Sequence, residues 1–423
     1  MENPNDPISI TILGSGGGVA KAFLAFLNHS AQDESDPLMS IISRARLHLV
    51  DYRQKTEEYY SQVCPGLMPQ ITLYQLDLAQ VEDFEALLVL TGTSLVVDVS
   101  LAGTIEMHSC CDRLGISYMN TALTDTLVDE GEQNYGFPPI ERYLRLEAHK
   151  GSFNNAKAII GTGMNPGVVQ WMAIHLMELN PQDKPLACYI VEHDTSFLAD
   201  PGSVDPNTLY TTWSTESFLD EAVSCYPMFV HHHIPLCMYE QVYASEYKVS
   251  LGDKQFYGSL MAHEEVLTLG HLYDMEIGFL YRINEHTTEL IRSNLNDASK
   301  LWDLNSQIIT PARQEVSGED LVGVLLVYDG YETYMYNTVK SSDTFVQYQT
   351  NATYFQVACG LYASLASLLL DPIPPGSYYV DELLLQTESR YEQYLTRHMK
   401  DFVIGRNETS DGLLYQRRRL MDK

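Results

Sequence analysis

The sequence predicts an α/β fold, with a parallel sheet at the N-terminal end and an α+β domain behind it, on three observations. An apolar run, Ile8 to Leu13, meets a glycine cluster that opens a helix-like segment in TILGSGGGVAKAFLAFL (11–27). Further strand-like runs, RARLHLVD (44–51), QITLYQLD (70–77) and SLVVD (94–98), follow with helix-like stretches between them. From 185 to roughly 340 the chain changes to short alternating runs, LACYIVEHD, EYKVSLG, KQFYGSLMA and LVGVLLVYDG, which read as a mostly antiparallel sheet.

The glycine cluster carries the first functional signal. Glycines allow a tight turn and close approach of a phosphate to the backbone, and the helix start behind them offers free N–H groups and a positive dipole end. Gly14 and Gly16 fit the first two positions of G-x-G-x-x-G; the third falls on Val19, with Gly17, Gly18 and Ala20 beside it. The first domain is therefore expected to be a Rossmann-type NAD-binding domain, with Gly14, Gly16, Gly17, Gly18 and Val19 at the cofactor. Asp51 ends the second strand, where an acid takes a ribose 2′-hydroxyl and favours NAD over NADP. It lies farther from the loop than the usual ~20 residues, a distance that the insertion AQDESDP accounts for. Arg53 and Lys55 offer a 2′-phosphate site instead.

Later strand ends complete that expectation. Asp77 closes the third strand, and ISYMNTAL (116–123) places Asn120 and Thr121 at the end of a further one. AKAIIGTGMNPGVVQWMAIHLMEL (156–179) reads as a strand, a Gly/Pro turn and a helix starting near Pro166 or Gly167, with Asn165 and Pro166 facing the cofactor. The expected organisation is an NAD-binding domain over 1–165, a substrate-binding and dimerisation α+β domain over 166–400 whose C-terminal helices can return to the first domain, and a charged tail over 401–423. ATYFQVACGLYASLASLLL (352–370) is expected to be a buried helix.

Bulk properties narrow the partners. The chain has 423 residues with 26 Lys+Arg against 56 Asp+Glu, a formal charge of −30. Nucleic acid demands a basic surface, so it is excluded as a partner, whereas a cationic substrate such as a polyamine is attracted. The expected absence of a membrane span and of a signal sequence, with seven scattered cysteines, points to a cytoplasmic protein with reduced thiols. Metal is not expected: HHH at 231–233 would place neighbours on opposite faces of a strand, and there is no C-x-x-C or H-E-x-x-H pattern.

Three segments concentrate reactive groups. VEHDTS (191–196) ends a strand with Glu192, His193 and Asp194. In YTTWSTESFLDEA (210–222), helical spacing would put Trp213, Glu216 and Asp220 on one face, with Glu221 one position round. An aromatic face beside acids is an ammonium site, because the ring quadrupole attracts cations. In MAHEEV (261–266), a strand would put His263 and Glu265 on the same face, a pair suited to proton transfer near neutral pH.

Taken in order, these motifs resemble those of the homospermidine synthases, within the saccharopine-dehydrogenase-like group. The likeness runs along most of the chain. ISYMNT is similar to the family's G-x-x-Y-x-D-T, GTGMNPGVV to A-N-P-G-M-V, YIVEHDTS to I-S-E-R-D-T, and TTWSTESFLDEA to N-T-W-S-x-x-G-F-x-x-E. MAHEEVLTL, LVGVLL and NATYFQVACGLYA resemble its H-N-E-A, L-G-V-L-L and N-A-T-x-x-Q-V segments. The resemblance implies a homodimer with tightly held NAD that joins two putrescines into homospermidine with release of ammonia. It implies that Asn165, Glu192, Trp213, Glu221, His263 and Glu265 line the substrate site, with Asp320 a further member. Trp213 would hold cationic iminium intermediates, Glu192 and Glu221 the ammonium groups, and His263 with Glu265 would move protons.

The sequence departs from the family at Asn120, where an Asp is usual, and at ALTDT (122–126), where Thr124 or Asp125 stands in place of an acidic motif. Two alternatives follow. One is a saccharopine- or carboxynorspermidine-type dehydrogenase, whose carboxylated substrate demands an arginine, with Arg282 and Arg292 the candidates. The other is a non-catalytic NAD-binding protein.

Overall fold

The computed structural model describes residues 7–129, 131 and 134–420. The chain divides into two compact units. One comprises 1–130, 144–163 and 357–398, the other 131–143, 164–356 and 399–423.

The elements used below run in chain order. The first unit opens with β1 (Ser9–Leu13), α1 (Gly18–Ser30), β2 (Arg46–Asp51), β3 (Ile71–Gln75), β4 (Leu95–Asp98), β5 (Ser117–Asn120) and β6 (Lys157–Ile160). The second holds α2 (Val168–Glu178), β7 (Ala187–Asp194), α3 (Thr215–Leu219), β8 (Met228–His231), β9 (Ile234–Cys237), β10 (Ser245–Leu251), β11 (Lys254–Met261), α4 (Glu264–Leu272), β12 (Glu276–Arg282), β13 (Asp320–Val327) and β14 (Glu332–Val339). Then come α5 (Ala352–Leu370), β15 (Gly376–Tyr379), β16 (Val403–Asn407) and β17 (Arg418–Leu420).

In the first unit, among the described residues, seven strands form one sheet in the order β15-β6-β5-β4-β1-β2-β3, and every pairing is parallel. Its central strands are mostly apolar and buried on both faces; β1 is buried at every position, its Ser9 and Thr11 included. The order reverses at β1, between β4 and β2, which makes the crevice above the C-terminal ends of these strands the natural ligand position. This is the Rossmann-like parallel sheet expected from the sequence.

The second unit is built on a mixed sheet in the order β16-β14-β13-β7-β12-β11-β10-β17, with β8 and β9 branching from β12. Most pairs are antiparallel, and β7 with β12 is parallel. Alternation sorts β7 into two faces. Tyr189 and Val191 join the apolar cluster with Val249, Leu260, Leu280 and Leu325, and His193 stacks on Phe256 on that side, ring centroids 4.4 Å apart. Glu192 and Asp194 face the other way. The sheet curls until β16 meets β10, where Asn407 donates to Ser250 O at 2.8 Å and accepts from Gly252 N at 3.2 Å.

Two expectations are corrected here. The charged stretch beyond 400 is not a loose tail, because β16 and β17 extend the sheet at both ends. It is fastened by a fully buried ion pair, Arg417–Glu332, and by Leu414, which enters the core cluster. The HHH run makes a hairpin turn, with His232 and His233 at positive φ, His232 Nδ1 2.7 Å from Asp274 and His233 Nδ1 2.9 Å from Gly270 O. The apolar segment 352–370 is helical as α5, and it is 78% buried.

Candidate active site

The first unit holds a dinucleotide cradle. Gly14 sits at φ +72°, and a Cβ there would lie 2.7 Å from Val99 O, so only glycine fits. Gly17 caps α1 without a side-chain hydrogen bond, and the first turn carries no acid. The helix therefore presents its free N–H groups to an anion. Gly18 is the first helical residue. Val19, where the motif loses its third glycine, is half-buried, and the close-packed position is taken by the fully buried Ala20.

Asp51 ends β2 at the loop, as expected. Its Oδ2 accepts from Gly16 N and its Oδ1 from Arg53 N, each at 2.8 Å. Lys55 also lies over this turn, since a Cβ on Gly16 would meet its Cε at 3.0 Å. The glycine loop, the uncapped helix and the acid at the end of β2 fit a dinucleotide cofactor such as NAD.

The other residues expected at the cofactor are placed differently. Asn120 uses its whole amide internally: Nδ2 donates to Thr104 Oγ1 and Ala122 O, and Oδ1 accepts from Gly161 N. Asp77 is exposed and accepts from Ala79 N at a turn. Thr121 is half-buried just past β5. In the stretch that departs from the family motif, Asp125 is buried and paired with Arg145, and Thr124 donates to Ala102 O.

The second unit gathers the residues expected at the substrate. Register does much of this. Glu192 on β7 stands opposite Tyr281 on β12, and Asp194 opposite Asp320 on β13. Asn165 and Pro166 sit in the turn before α2, and Asn165 Nδ2 donates to Glu192 Oε2 at 2.7 Å. Trp213 Nε1 donates to the Tyr281 hydroxyl at 3.3 Å. Thr212 donates to Asp194 at 2.5 Å, and the Thr353 hydroxyl, in the first turn of α5, is hydrogen-bonded to Asp320 at 2.5 Å. Asn351 ties the two segments together by donating to Thr212 O at 2.6 Å.

A second group lies along the same strip, through Phe279. The His263 ring is 4.8 Å from that of Phe279, which stacks on Tyr281 at 5.8 Å. His263 Nδ1 bonds Glu265, and its Nε2 is 3.9 Å from Glu221. Both local structures differ from expectation. His263 is not on a strand: β11 ends at Met261, and His263 caps α4, whose second residue is Glu265. The short reach from cap to first turn brings them together. Trp213 precedes the helix cap Ser214, so it shares no helical face with Glu216, which is exposed. Glu221 is carried by a π-helical turn, Asp220–Ser224, that continues α3. Such turns often mark functional sites.

The electrostatics are unusual. Glu192, Asp194 and Asp320 are buried with no arginine or lysine bonded to them among the described residues, and burial raises all three. Repulsion from Asp320 adds to the effect on Glu192. Burial also raises Glu221 to about 7, although His263 and Arg142 pull it down. For His263, burial works towards the neutral form, but Glu265 and Glu221 outweigh it and hold it up at about 10. The imidazole is thus charged at neutral pH and can donate a proton.

Arg282 and Arg292 lie elsewhere: both bond the fully buried Glu246, and Arg282 stands opposite His193 on the other face of the sheet. Arg142, which lies in no motif singled out from the sequence, bonds Asp220 at 3.2 Å beside Glu221. Tyr281, Thr212 and Thr353 were missed as well. Tyr281 had a signal as an in-face aromatic of the strand EIGFLYR, and Thr212 and Thr353 lie within the TTWS and NAT segments matched to the family motifs.

Comparison with solved structures supports the fold. Saccharopine dehydrogenase (L-Glu forming) from Saccharomyces cerevisiae matches over 95% of this chain and 99% of its own, with a TM-score of 0.54 at 10% identity. A dehydrogenase from Chromobacterium violaceum matches over 93% of each chain at 10% identity with a TM-score of 0.37. The first of these likenesses shows that the chain has the saccharopine dehydrogenase fold. No protein-family model matches it, and no curated protein matches it in sequence.

Proposed function

We propose that this protein is an NAD-dependent enzyme that forms and reduces a carbon–nitrogen double bond on an amine. The observation that carries this reading is the strip Trp213–Tyr281–Glu192 continued by His263, Glu221 and Glu265. An aromatic ring and buried carboxylates are what a desolvated ammonium or iminium group requires, and a charged imidazole beside them can supply protons. A bound NAD supplies the hydride acceptor and donor. Trp213 faces the cationic carbon–nitrogen group, Glu192 and Glu221 neutralise ammonium groups, and His263, oriented by Glu265, exchanges a proton with the amine nitrogen.

Two finer readings differ in substrate. The motif series and the acid-rich strip support a homospermidine synthase that joins two putrescines and releases ammonia, with no net consumption of NAD. The fold match to saccharopine dehydrogenase supports a dehydrogenase of a carboxylated amine, in which Arg142, rather than Arg282 or Arg292, would meet the carboxylate. Mass spectrometry of products separates them. Homospermidine and ammonia from putrescine and NAD, without accumulating NADH, support the first. Glutamate and NADH from saccharopine and NAD support the second. No product from either amine, with NAD bound, would contradict the proposal.

A further inference from the structure

Four side chains in the second unit form an unbranched chain: Asp320, Thr353, Thr212 and Asp194. Thr353 Oγ1 is 2.5 Å from Asp320 Oδ2 and 2.9 Å from Thr212 Oγ1, and Thr212 Oγ1 is 2.5 Å from Asp194 Oδ2. All four residues are fully buried. Three hydrogen bonds need three protons, and two hydroxyls supply only two. With both acids ionised, one oxygen pair would face each other without a hydrogen. One acid must carry the third proton.

The surroundings say which. The backbone N–H of Ser196 donates to Asp194 Oδ1 at 2.9 Å, so Asp194 has donors on both oxygens, as an anion needs. Asp320 Oδ1 has no hydrogen-bond partner among the described residues. The titratable groups facing the chain are Glu192 on β7, Tyr281 on β12 and, through Glu192, His263 at the start of α4.

We infer that Asp320 holds a proton and that Asp320, Thr353, Thr212 and Asp194 form a proton relay that takes up the proton an amine substrate must lose before oxidation. The use of the relay rests on the proposed amine chemistry; the stored proton does not. In the relay step the substrate N–H bond breaks and an O–H bond forms at Asp320 Oδ1. The proton on Oδ2 passes to Thr353, that of Thr353 to Thr212, and that of Thr212 to Asp194. Asp194 ends neutral, Asp320 remains neutral, and the amine nitrogen keeps its electron pair for expelling hydride. No further reactant is needed. Thr212 and Thr353 are positioning residues in this scheme, since they act through the acids.

Infrared difference spectroscopy of the whole protein at neutral pH, without substrate, reads the stored proton. The carbonyl band of a protonated carboxyl group should be present in the wild type, shift with ¹³C-labelled aspartate, and be lost in Asp320→Asn. In Thr353→Val it should persist at higher frequency, because the acid has lost its acceptor. This second variant decides the matter if Asp320→Asn does not fold. An aspartate band unchanged in both variants, or no aspartate band at all, would overturn the assignment. If the bands behave as described but no amine is turned over, the proton stands and the proposed function fails. If an amine is oxidised at an unchanged rate and pH profile in Thr353→Val, the relay role fails.

Discussion

Trp213 stands half-buried at the edge of the strip, its indole N–H fixed on Tyr281 and its ring edge-on to Phe218 with centroids 6.0 Å apart. The ring is therefore held, and its face can act on a cation. Trp213→Ala should weaken amine binding by about 2 kcal/mol, roughly thirtyfold, while leaving NAD affinity unchanged; fluorescence titration of both ligands checks this. His263 offers a sharper test. Its charge at neutral pH depends on Glu265 and Glu221. In Glu265→Gln the imidazole should titrate well below about 10, measurable by NMR of the ring protons, and the alkaline limb of any activity profile should move down with it. Gly14→Ala should abolish NAD binding, because the new Cβ would meet Val99 O at 2.7 Å in a backbone conformation at φ +72°. Calorimetry with NAD measures that loss.

At the scale of elements, much of the architecture was legible and its fine placement was not. Strands buried on both faces, such as β1 and β4, show as plain apolar runs, and the Gly17 cap and α2 follow from glycine and proline positions. What sequence could not supply was local geometry set by packing. The Trp213 segment leaves β-like backbone only at Ser214, and α3 then widens into a π-helical turn, so counting in helical steps misplaced Trp213 and Glu216. His263 and Glu265 were paired correctly for the wrong reason, since a cap and a first turn bring together residues two apart as a strand face does. The last segment looked loose because it is charged, yet Arg417 finds a buried acid across the sheet, a partner no local pattern encodes. Arg417→Met leaves Glu332 buried without its cation, held by Asn407, Ser410 and the Asp411 N–H alone, and should cost about 3 kcal/mol. The double variant Arg417→Met/Glu332→Leu should recover much of it. Urea unfolding of both proteins tests the pair.

For the whole molecule, a charge of −30 and a buried acid strip act in one direction: they draw in cations and make the strip costly when empty. Glu221 has an ordinary value near 4.5 and a folded value of about 7, so its contribution to stability is full below 4.5 and is lost as pH rises through 7. His263 goes from 6.5 to about 10, and its contribution is full below 6.5 and lost as pH rises through 10. Stability should therefore fall from pH 5 to pH 10, by roughly 3 kcal/mol from Glu221 alone, and Glu221→Gln should flatten the earlier part of the fall in a thermal melt. The same titration governs the ligand. Calorimetric binding of putrescine at pH 6 and pH 8 tests the amine reading most directly: affinity should rise about tenfold as Glu221 ionises, and the difference should vanish in Glu221→Gln. No binding of putrescine at either pH with saccharopine failing to bind as well, or equal affinity at both, would contradict the assignment of this strip to a cationic amine.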